Sequence, residues 1–255
     1  MSKRIEVKTL HFPNGRSARV VRVPDDADAI TILSALAIGS PRALVVITGG
    51  AGGMNEDEIN RVRPLFVDGL ARLAAEEHIA ILDGGTDAGV MALIGEGAAV
   101  HRSTAPLIGV CPAARVAWPG NPNPNAEAQL EPNHSHFVLT DGQEFGTESE
   151  TIYAIAEALS QQMPSVALVV NGGPIVYDET LKNARQGRVV IVFKGSGRAA
   201  DVIAAAWEGA QADDPRVAEI MERGKIVLFD VAKGPEKLVS LIRQILCGGK
   251  LNEHR

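Results

Sequence analysis

The chain has 255 residues, of which 45% are hydrophobic and 22% charged, and it contains 26 glycines. Such a chain can bury a full apolar core, which excludes a disordered protein and a collagen-like repeat. The formal net charge of −6 and the aromatic content of 4% argue against nucleic-acid binding through phosphate contacts or base stacking.

The cysteines and the amino-terminal segment indicate in which cellular compartment to expect the protein. Cys111 and Cys247 are too few for a disulfide framework, and no CxxC metal-binding spacing occurs. The first residues, MSKRIEVKTL, lack the apolar stretch of a signal peptide. No apolar run approaches the roughly 18 residues of a membrane span. We therefore expect a soluble cytoplasmic protein that contacts no membrane, and nothing in the sequence implies a cofactor or a metal.

The first 24 residues predict a β-hairpin appended to a larger domain. Residues 4–12 and 17–23 alternate in polarity, and Pro13-Asn14-Gly15 between them is typical of a tight turn. A helix through Ile38 follows, closed by Gly39 and Pro41. Three side chains are candidates to cap it: Asp25, Asp26 and Asp28.

From residue 43 onward, short aliphatic runs alternate with helical patterns. The predicted strands are residues 44–47, 79–82, 107–110, 137–139, 166–170, 189–193 and 226–229. The predicted helices are residues 59–76, 90–100, 149–161, 180–186, 199–208 and 236–246. Strands that are apolar on both faces and alternate with helices form parallel sheets with right-handed crossovers. The sequence therefore predicts an α/β fold over residues 1–255 as one domain: a doubly wound, mostly parallel Rossmann-like sheet with helices on both faces.

The most irregular stretch is residues 111–131, which contains Trp118 and a run of alternating proline and asparagine. Loops of this length inside compact domains are lids, binding loops or disordered segments. From the sequence alone, this stretch can be either a binding loop or a mobile loop.

Four predicted strands end in glycine-rich turns, which we call turn 1 (residues 48–53), turn 2 (83–89), turn 3 (171–174) and turn 4 (194–198). The carboxyl ends of parallel strands meet at one edge of a sheet, where ligands bind. Glycine lets successive N–H groups converge, and the following helix favours an anion at its first turn. Sixteen of the candidate ligand-binding residues lie in these turns: Gly49, Gly50, Gly52, Gly53, Gly84, Gly85, Thr86, Gly89, Asn171, Gly172, Gly173, Lys194, Gly195, Ser196, Gly197 and Arg198. For any single turn, a glycine needed for geometry alone is the alternative.

Named phosphate-binding motifs are absent. The pattern GxGxxG fails because Asn55 stands where the third glycine should follow Gly50 and Gly52. No GxxxxGK[ST] occurs, which disfavours a P-loop NTPase.

Charged residues near the turns provide further candidates. Arg198 stands at a predicted helix start, where a cation opposes the helix dipole unless a ligand phosphate or carboxylate binds it. A solvated arginine is the alternative, Lys194 is a second possible contact, and Arg115 in the long loop is a weaker one. The candidate acids and bases are Asp83, Asp87, Glu148 and Glu179, and Glu179 lies one turn beyond turn 3. Asp87, Glu148 and Glu179 can equally be structural carboxylates in the first turn of a helix.

Two histidines, His134 and His136, flank Ser135 at a predicted strand entrance. This spacing places both on one face of a strand, which can suit a metal, but no further ligand lies nearby in the sequence. We expect a structural or ligand hydrogen-bonding role and no metal, and His136 joins the candidate ligand-binding residues.

Four segments resemble the cytosolic amino-terminal region of TRPM ion channels. They read GGTDAGVM (84–91), PNHSHF (132–137), GGP (172–174) and GSGRAADVI (195–203), and resemble its GGTxxGVM, PNHxHF, GGP and GSGRxADxI elements. On this basis the chain is identified as a prokaryote-type member of the SLOG superfamily. That superfamily also includes the LOG phosphoribohydrolases and DprA, which share a Rossmann-like fold.

The resemblance implies a site for a nucleotide-derived ligand, with ADP-ribose and its relatives as the leading class. It implies glycine turns at the phosphates and a contact from Arg198, and it implies no channel. LOG enzymes carry PGGxGTxxE, whereas residues 171–179 read NGGPIVYDE, so Glu179 is kept but Ile175 and Val176 replace glycine and threonine. Bulky β-branched side chains narrow the approach of a phosphate. The sequence therefore disfavours LOG-type hydrolysis, and turn 1 is expected to take over the phosphate.

Three hypotheses follow. The leading one is a homo-oligomeric sensor that binds a small phosphorylated nucleoside; self-association is inferred by analogy alone. The alternative is a hydrolase of the N-glycosidic bond in nucleoside 5′-monophosphates, with Glu179 as its catalytic group. The third is an oligomeric interaction protein without a ligand.

Overall fold

The computed structural model describes residues 5–24 and 26–248 of the chain. The strands are β1 (Glu6–His11), β2 (Ser17–Val23), β3 (Ala43–Gly49), β4 (Ile79–Asp83), β5 (Leu107–Pro112), β6 (Val116–Ala117), β7 (Ala128–Gln129), β8 (His136–Thr140), β9 (Ser165–Val170), β10 (Val189–Lys194) and β11 (Lys225–Asp230). The helices are α1 (Ala29–Leu36), α2 (Glu56–Pro64), α3 (Arg72–Glu77), α4 (Gly89–Val100), α5 (Ser149–Ser160), α6 (Ile175–Arg185), α7 (Arg198–Trp207), α8 (Pro215–Arg223) and α9 (Pro235–Leu246). A π-helical segment (Leu65–Ala71) joins α2 to α3, and a 3-10 turn (Val231–Lys233) follows β11.

Nine strands form one sheet in the order β1-β2-β8-β5-β4-β3-β9-β10-β11. Every neighbouring pair is parallel except β1 and β2. From β3 the chain builds outward through β4, β5 and β8, and then returns to β9 and builds the other side through β10 and β11. The direction of winding reverses between β3 and β9, which is the position where doubly wound sheets bind ligands. The predicted α/β fold is confirmed.

Two helical layers cover the sheet. The segment from α2 through α3 packs with α4 and α9 on one face, while α1, α5, α6, α7 and α8 pack on the other. Val45 and Val46 are both fully buried and belong to opposite layers, because successive side chains of a strand point to opposite faces. This two-sided burial is the reason for the uninterrupted aliphatic runs in the sequence.

The predicted hairpin is present, and it extends the main sheet because β2 pairs in parallel with β8. Of the three candidate caps, Asp28 caps α1 by accepting hydrogen bonds from the N–H groups of Ile30 and Thr31. The candidate cap Asp25 and the predicted strand residue Arg4 lie outside the described residues.

Other elements differ from their predicted bounds. The helix expected at 59–76 begins earlier, at Glu56, because Asn55 and Glu58 form a capping box. It continues beyond Pro64 as a π-helical segment, since proline provides no N–H for the regular helical bond. Helix α6 begins at Ile175 instead of residue 180, directly after Pro174. Helix α8, which follows Asp214 as its cap, was not predicted.

The long loop after β5 is folded. It contains β6 and β7, which pair in parallel apart from the main sheet. The side-chain amide of Asn123 donates to the carbonyls of Ala114 and Val116, at 2.9 and 3.2 Å, and closes the loop on itself.

Candidate functional site

The four glycine turns contact one another at the carboxyl edge of the sheet. Turns 1 and 3 are neighbours, because Gly49 at the end of β3 pairs with Val170 at the end of β9. Turn 1 meets turn 2 and α4 where the Val90 N–H donates to the Gly50 carbonyl at 2.8 Å. Turns 3 and 4 meet where the N–H of Ala200 donates to the Asn171 carbonyl at 3.0 Å. The turns therefore surround the point at which the winding of the sheet reverses.

Turns 3 and 4 are held together by protein hydrogen bonds. The buried Asn171 donates its backbone N–H to the hydroxyl of Ser196 at 2.8 Å and its side-chain amide to the Ser196 carbonyl at 2.7 Å. The Asp201 carboxylate accepts from the N–H groups of Gly195 and Gly197, at 2.6 and 3.1 Å. The amides of turn 4 that we expected to face a ligand anion thus face a carboxylate of the protein, which fixes the shape of the turn.

Turn 2 is covered by the segment that precedes β8. The Gly85 N–H donates to the Asp83 carboxylate at 2.7 Å, and the Gly85 carbonyl accepts from the N–H of Glu131 at 3.0 Å. The Asp87 N–H donates to the carbonyl of Gln129 at 2.8 Å. These contacts form a short ladder between turn 2 and the folded loop, so Gly85 and Asp87 have protein partners.

Turn 1 has backbone donors to spare. Ala51, Gly52 and Gly53 are exposed to solvent. Within the described part of the chain, the N–H groups from Gly50 to Gly53 donate to no protein acceptor. A Cβ at Gly52 would meet nothing within 4 Å, so the fold itself does not require glycine there. Turn 1 is the glycine turn best able to receive an anion.

Arg198 crosses from turn 4 toward turns 1 and 3. Its Nη1 lies 3.4 Å from the carbonyl oxygen of Gly53, and its Nη2 lies 3.3 Å from the position a Cβ of Gly173 would occupy. The side chain is exposed, and its guanidinium forms no ion pair with any described carboxylate. The backbone of Arg198 is left-handed, with φ of +50°, a conformation that costs energy for a residue with a side chain. The turn thus holds a free cation beside the open amides of turn 1.

Val176 fills the notch between turns 1 and 3. Its side chain is 3% exposed, and its Cγ2 lies 3.0 Å from the position a Cβ of Gly49 would take. The same methyl group rests on Gly172, where any Cβ would clash with it. This is the position of the threonine in the LOG motif. An anion at this notch would therefore contact the apolar side chain of Val176, whereas turn 1 beside it offers backbone N–H donors.

The side chains of two predicted ligand-binding residues have other partners in the protein. Lys194 directs its ammonium to the carboxylate of Glu208. His136 lies at the amino end of β8, where its Nδ1 is 2.8 Å from the Ser135 hydroxyl. Burial and the positive charge of Arg19 lower the pKa of His136 to about 4. His136 therefore lies at the strand entrance that the sequence predicts, with the hydroxyl of Ser135 as its partner.

Two carboxyl groups lie beside the notch, between α5 and α6. Glu179 accepts a hydrogen bond from the Ser149 hydroxyl at 3.2 Å, and burial, with the nearby charge of Glu148, raises its pKa to about 7. Glu148 accepts from the Gly146 N–H at 2.7 Å, and burial raises its pKa as well. A carboxyl group that titrates near neutrality can exchange a proton with a ligand. Ser149 was not singled out in the sequence.

A buried network beneath turn 2 joins His134, for which we expect a structural or hydrogen-bonding role, to two carboxylates. His134 is almost completely buried, with Nε2 2.9 Å from an oxygen of Asp83 and Nδ1 2.7 Å from an oxygen of Glu131. Burial alone would lower the pKa of His134, but Asp83 and Glu131 raise it to about 9. The charged imidazole therefore ties the end of β4 to the folded loop. No group of three or more His, Cys, Asp and Glu side chains suited to a metal ion occurs in residues 5–24 and 26–248.

Comparison with known proteins assigns this architecture to a family. A family model described as "SLOG in TRPM, prokaryote" matches residues 42–240. The chain belongs to this family. The matched residues of the SLOG protein contain all four glycine turns, Arg198 and Glu179, while the hairpin lies outside them.

The most similar relatives of this SLOG protein include much longer ion-channel subunits. It is 28% identical to a TRPM member-like 2 protein of Nematostella vectensis, over 91% of this chain and 18% of the relative. It is 26% identical to TRPM member 2 of Rattus norvegicus, over 73% of this chain and 15% of the relative. The chain thus spans less than a fifth of the length of these curated relatives. None of its described helices combines the length and apolar character needed to cross a bilayer.

The crystal structure of the structural genomics target TM1055 resembles the SLOG protein in fold. The TM-score is 0.54 at 23% identity, and the match covers 80% of this chain and 99% of that chain. At this identity the likeness concerns the fold alone.

Proposed function

We propose that this SLOG protein binds a small phosphorylated nucleoside, of the class that includes ADP-ribose, at the carboxyl edge of its sheet. The observation that carries the proposal is the guanidinium of Arg198, which is exposed, unpaired among the described residues and directed at turns 1 and 3. A planar guanidinium suits a phosphate because it donates two parallel hydrogen bonds.

Turn 1 supports the same ligand class. The N–H groups from Gly50 to Gly53 donate to no acceptor among the described residues, and the guanidinium lies 3.4 Å from the Gly53 carbonyl oxygen at the end of this run. Converging backbone amides bind phosphate oxygens, and Gly52 adds no side chain that would keep the phosphate away. In this proposal the phosphate binds at turn 1 and Arg198, because Val176 fills the notch at turn 3.

The acidic start of α2 limits how much negative charge the site accepts. Glu56, Asp57 and Glu58 occupy its first turn, and Glu58 accepts from the Asn55 N–H. A ligand with one or two phosphate groups near Arg198 fits this balance better than a polyphosphate, since like charges repel at short range.

The experiment is a thermal-shift and calorimetry series with ADP-ribose, cyclic ADP-ribose, NAD and AMP. We expect at least one of them to raise the melting temperature, and Arg198→Ala to weaken that ligand about tenfold or more, through loss of a charge-assisted contact. Arg63→Ala is the matched control, because Arg63 is an exposed arginine that pairs with Glu96 on the adjacent helix. No response across the series from a folded protein would refute the proposal.

The raised pKa of Glu179 favours a second candidate, hydrolysis of an N-glycosidic bond. Ionised Glu179 would take a proton from water, whose oxygen bonds to C1′ of the ribose while the bond from C1′ to the base breaks. The departing base then takes up this proton, and Glu179 is ionised again. Chromatography of nucleoside 5′-monophosphates incubated with the protein tests this candidate. Free base that is formed by the wild type and lost with Glu179→Gln supports it, and no free base from any substrate refutes it.

A further inference from the structure

Strand β1 forms one edge of the nine-stranded sheet, with β2 as its only neighbour among the described strands. It is six residues long, and all of them are exposed except Leu10, which is half-buried. The outer side of an edge strand carries unpaired N–H and C=O groups, which are a template for pairing with another strand.

The hydrogen bonds of the hairpin define which residues face this open side. The Phe12 N–H donates to the Arg16 carbonyl at 2.9 Å, so these two residues form a hydrogen-bonded pair next to the turn. Hydrogen-bonded and non-hydrogen-bonded pairs alternate along an antiparallel ladder. With the observed register, the pairs that bind β2 are formed by Glu6, Lys8 and Leu10. The residues of β1 whose backbone groups point outward are Val7, Thr9 and His11.

The charges of β1 favour one register for a second copy of the strand. Glu6 and Lys8 lie on the same face, either side of Val7, where they form an ion pair at 2.8 Å, and their side chains remain 54% and 68% exposed to further charges. We consider antiparallel pairing about a two-fold axis that runs midway between Val7 and the partner's Val7. This pairing places Glu6 opposite Lys8 of the partner subunit, and Lys8 opposite Glu6 of the partner subunit. A shift of the register by two residues instead places Lys8 opposite the partner's Lys8. Opposite charges across a strand pair stabilise it, and like charges destabilise it.

The same register satisfies the outward backbone groups. Val7 lies opposite the partner's Val7, and Thr9 lies opposite the partner's Ile5. Val7 and Thr9 are both outward-facing, so each forms a hydrogen-bonded pair, and the charged residues between them form the closer, non-hydrogen-bonded pairs. Backbone polarity and side-chain charge therefore select the same arrangement.

We propose that two copies of this chain associate through antiparallel pairing of their β1 strands, with the two-fold axis midway between Val7 and the partner's Val7. The pairing continues the nine-stranded sheet of one subunit into that of the other, and a two-fold axis normal to the sheet keeps equivalent helical layers on the same side. The interface is isologous, as in most homodimers, and it lies at the sheet edge formed by the hairpin.

The experiment measures the mass of the full chain by sedimentation equilibrium over a concentration series. We expect a dimer whose dissociation constant rises roughly tenfold with Glu6→Lys alone or with Lys8→Glu alone, because two attractive pairs become repulsive. The double variant Glu6→Lys with Lys8→Glu restores the opposite charges and the wild-type dissociation constant. Glu150→Lys is the control, because Glu150 is exposed on α5 and pairs with Lys182 away from β1.

A second pair of variants tests the backbone contact. Val7→Pro removes an outward N–H and leaves the N–H groups that bind β2, which edge strands tolerate. We expect it to abolish the dimer, whereas Val7→Thr, which keeps the N–H, preserves it. Circular dichroism checks that each variant is folded. A wild-type chain that is monomeric at every concentration overturns the proposal, and so does a dimer unaffected by the charge variants.

Discussion

Val176 packs its Cγ2 methyl group onto the backbone of Gly172, in the space that a side chain at position 172 would need. Gly172 also has φ of +89°, which residues with a Cβ rarely adopt. We therefore expect Gly172→Ala to destabilise the protein by about 2–4 kcal/mol through strain and overpacking. Chemical denaturation measures the loss. Adding Val176→Ala removes the clash and leaves the backbone strain, so the double variant should lose less than the sum of the two single losses. A Gly172→Ala protein as stable as the wild type would contradict this packing.

Gly52, unlike Gly172, has room for a side chain. No atom lies within 4 Å of the place its Cβ would occupy, and its φ is not in the left-handed region. Gly52→Ala should change the free energy of unfolding by less than about 0.5 kcal/mol. If a phosphate approaches the turn 1 amides closely, the added methyl group weakens ligand binding in calorimetry. Unchanged binding by this variant would remove turn 1 from the ligand site.

The strands could be predicted because a strand buried on both faces appears in the sequence as a short, uninterrupted run of apolar residues. Val45 and Val46 are aliphatic on both faces since helices cover both sides of the sheet. Helix α8 was missed although Asp214 and Pro215 give a recognisable start and Val217 and Ile220 recur at helical spacing, because a helix of only nine residues offers few apolar positions to recognise.

The candidate site was predictable only in part. The glycine turns could be placed at one edge, since that follows from parallel strands. Which amides stay free could not be foreseen, because Ser196 accepts from Asn171 only once turns 3 and 4 are folded together, and Asp201 accepts from Gly195 only once turn 4 curls back on it. The bond between His134 and Asp83 joins residues 51 positions apart, and no local pattern encodes it.

Arg198 should show a conflict between stability and binding. Glycine adopts a left-handed backbone without the cost that Arg198 bears at φ of +50°. The side chain contributes little to stability, since it is exposed and its one hydrogen bond to a described residue is 3.4 Å long. We expect Arg198→Gly to be more stable than Arg198→Ala by about 1 kcal/mol, while both lose ligand affinity. Urea denaturation and calorimetry provide the two measurements. Equal stability of the two variants would show that the left-handed backbone carries no cost.

His134 should make the stability depend on pH. Its pKa is raised to about 9 in the folded protein, so its contribution is fully present below the ordinary value of 6.5 and is lost as the pH rises through 9. We expect the free energy of unfolding to fall between pH 6.5 and 9. His134→Gln should flatten this slope and destabilise the protein by on the order of 3 kcal/mol at pH 6.5, since it leaves buried carboxylates without their cation. His78→Gln is the control, because His78 ends α3 outside this network. A slope that persists in His134→Gln would assign it to another group.

Glu179 should oppose folding at alkaline pH. Burial raises its pKa from the ordinary 4.5 to about 7, so the ionised carboxylate is less stable in the folded protein than in the unfolded chain. Glu179 therefore costs no stability below pH 4.5, where it is protonated in both states. The free energy of unfolding falls as the pH rises from 4.5 through 7. Glu179→Gln keeps the shape and removes the charge, and we expect it to gain on the order of 2 kcal/mol at pH 8 and to match the wild type at pH 4. Glu150→Gln is the matched control on the neighbouring helix, since its side chain is 84% exposed. Thermal denaturation at the two pH values gives the comparison, and a Glu179→Gln protein that gains nothing at pH 8 would show that Glu179 is already ionised at no cost.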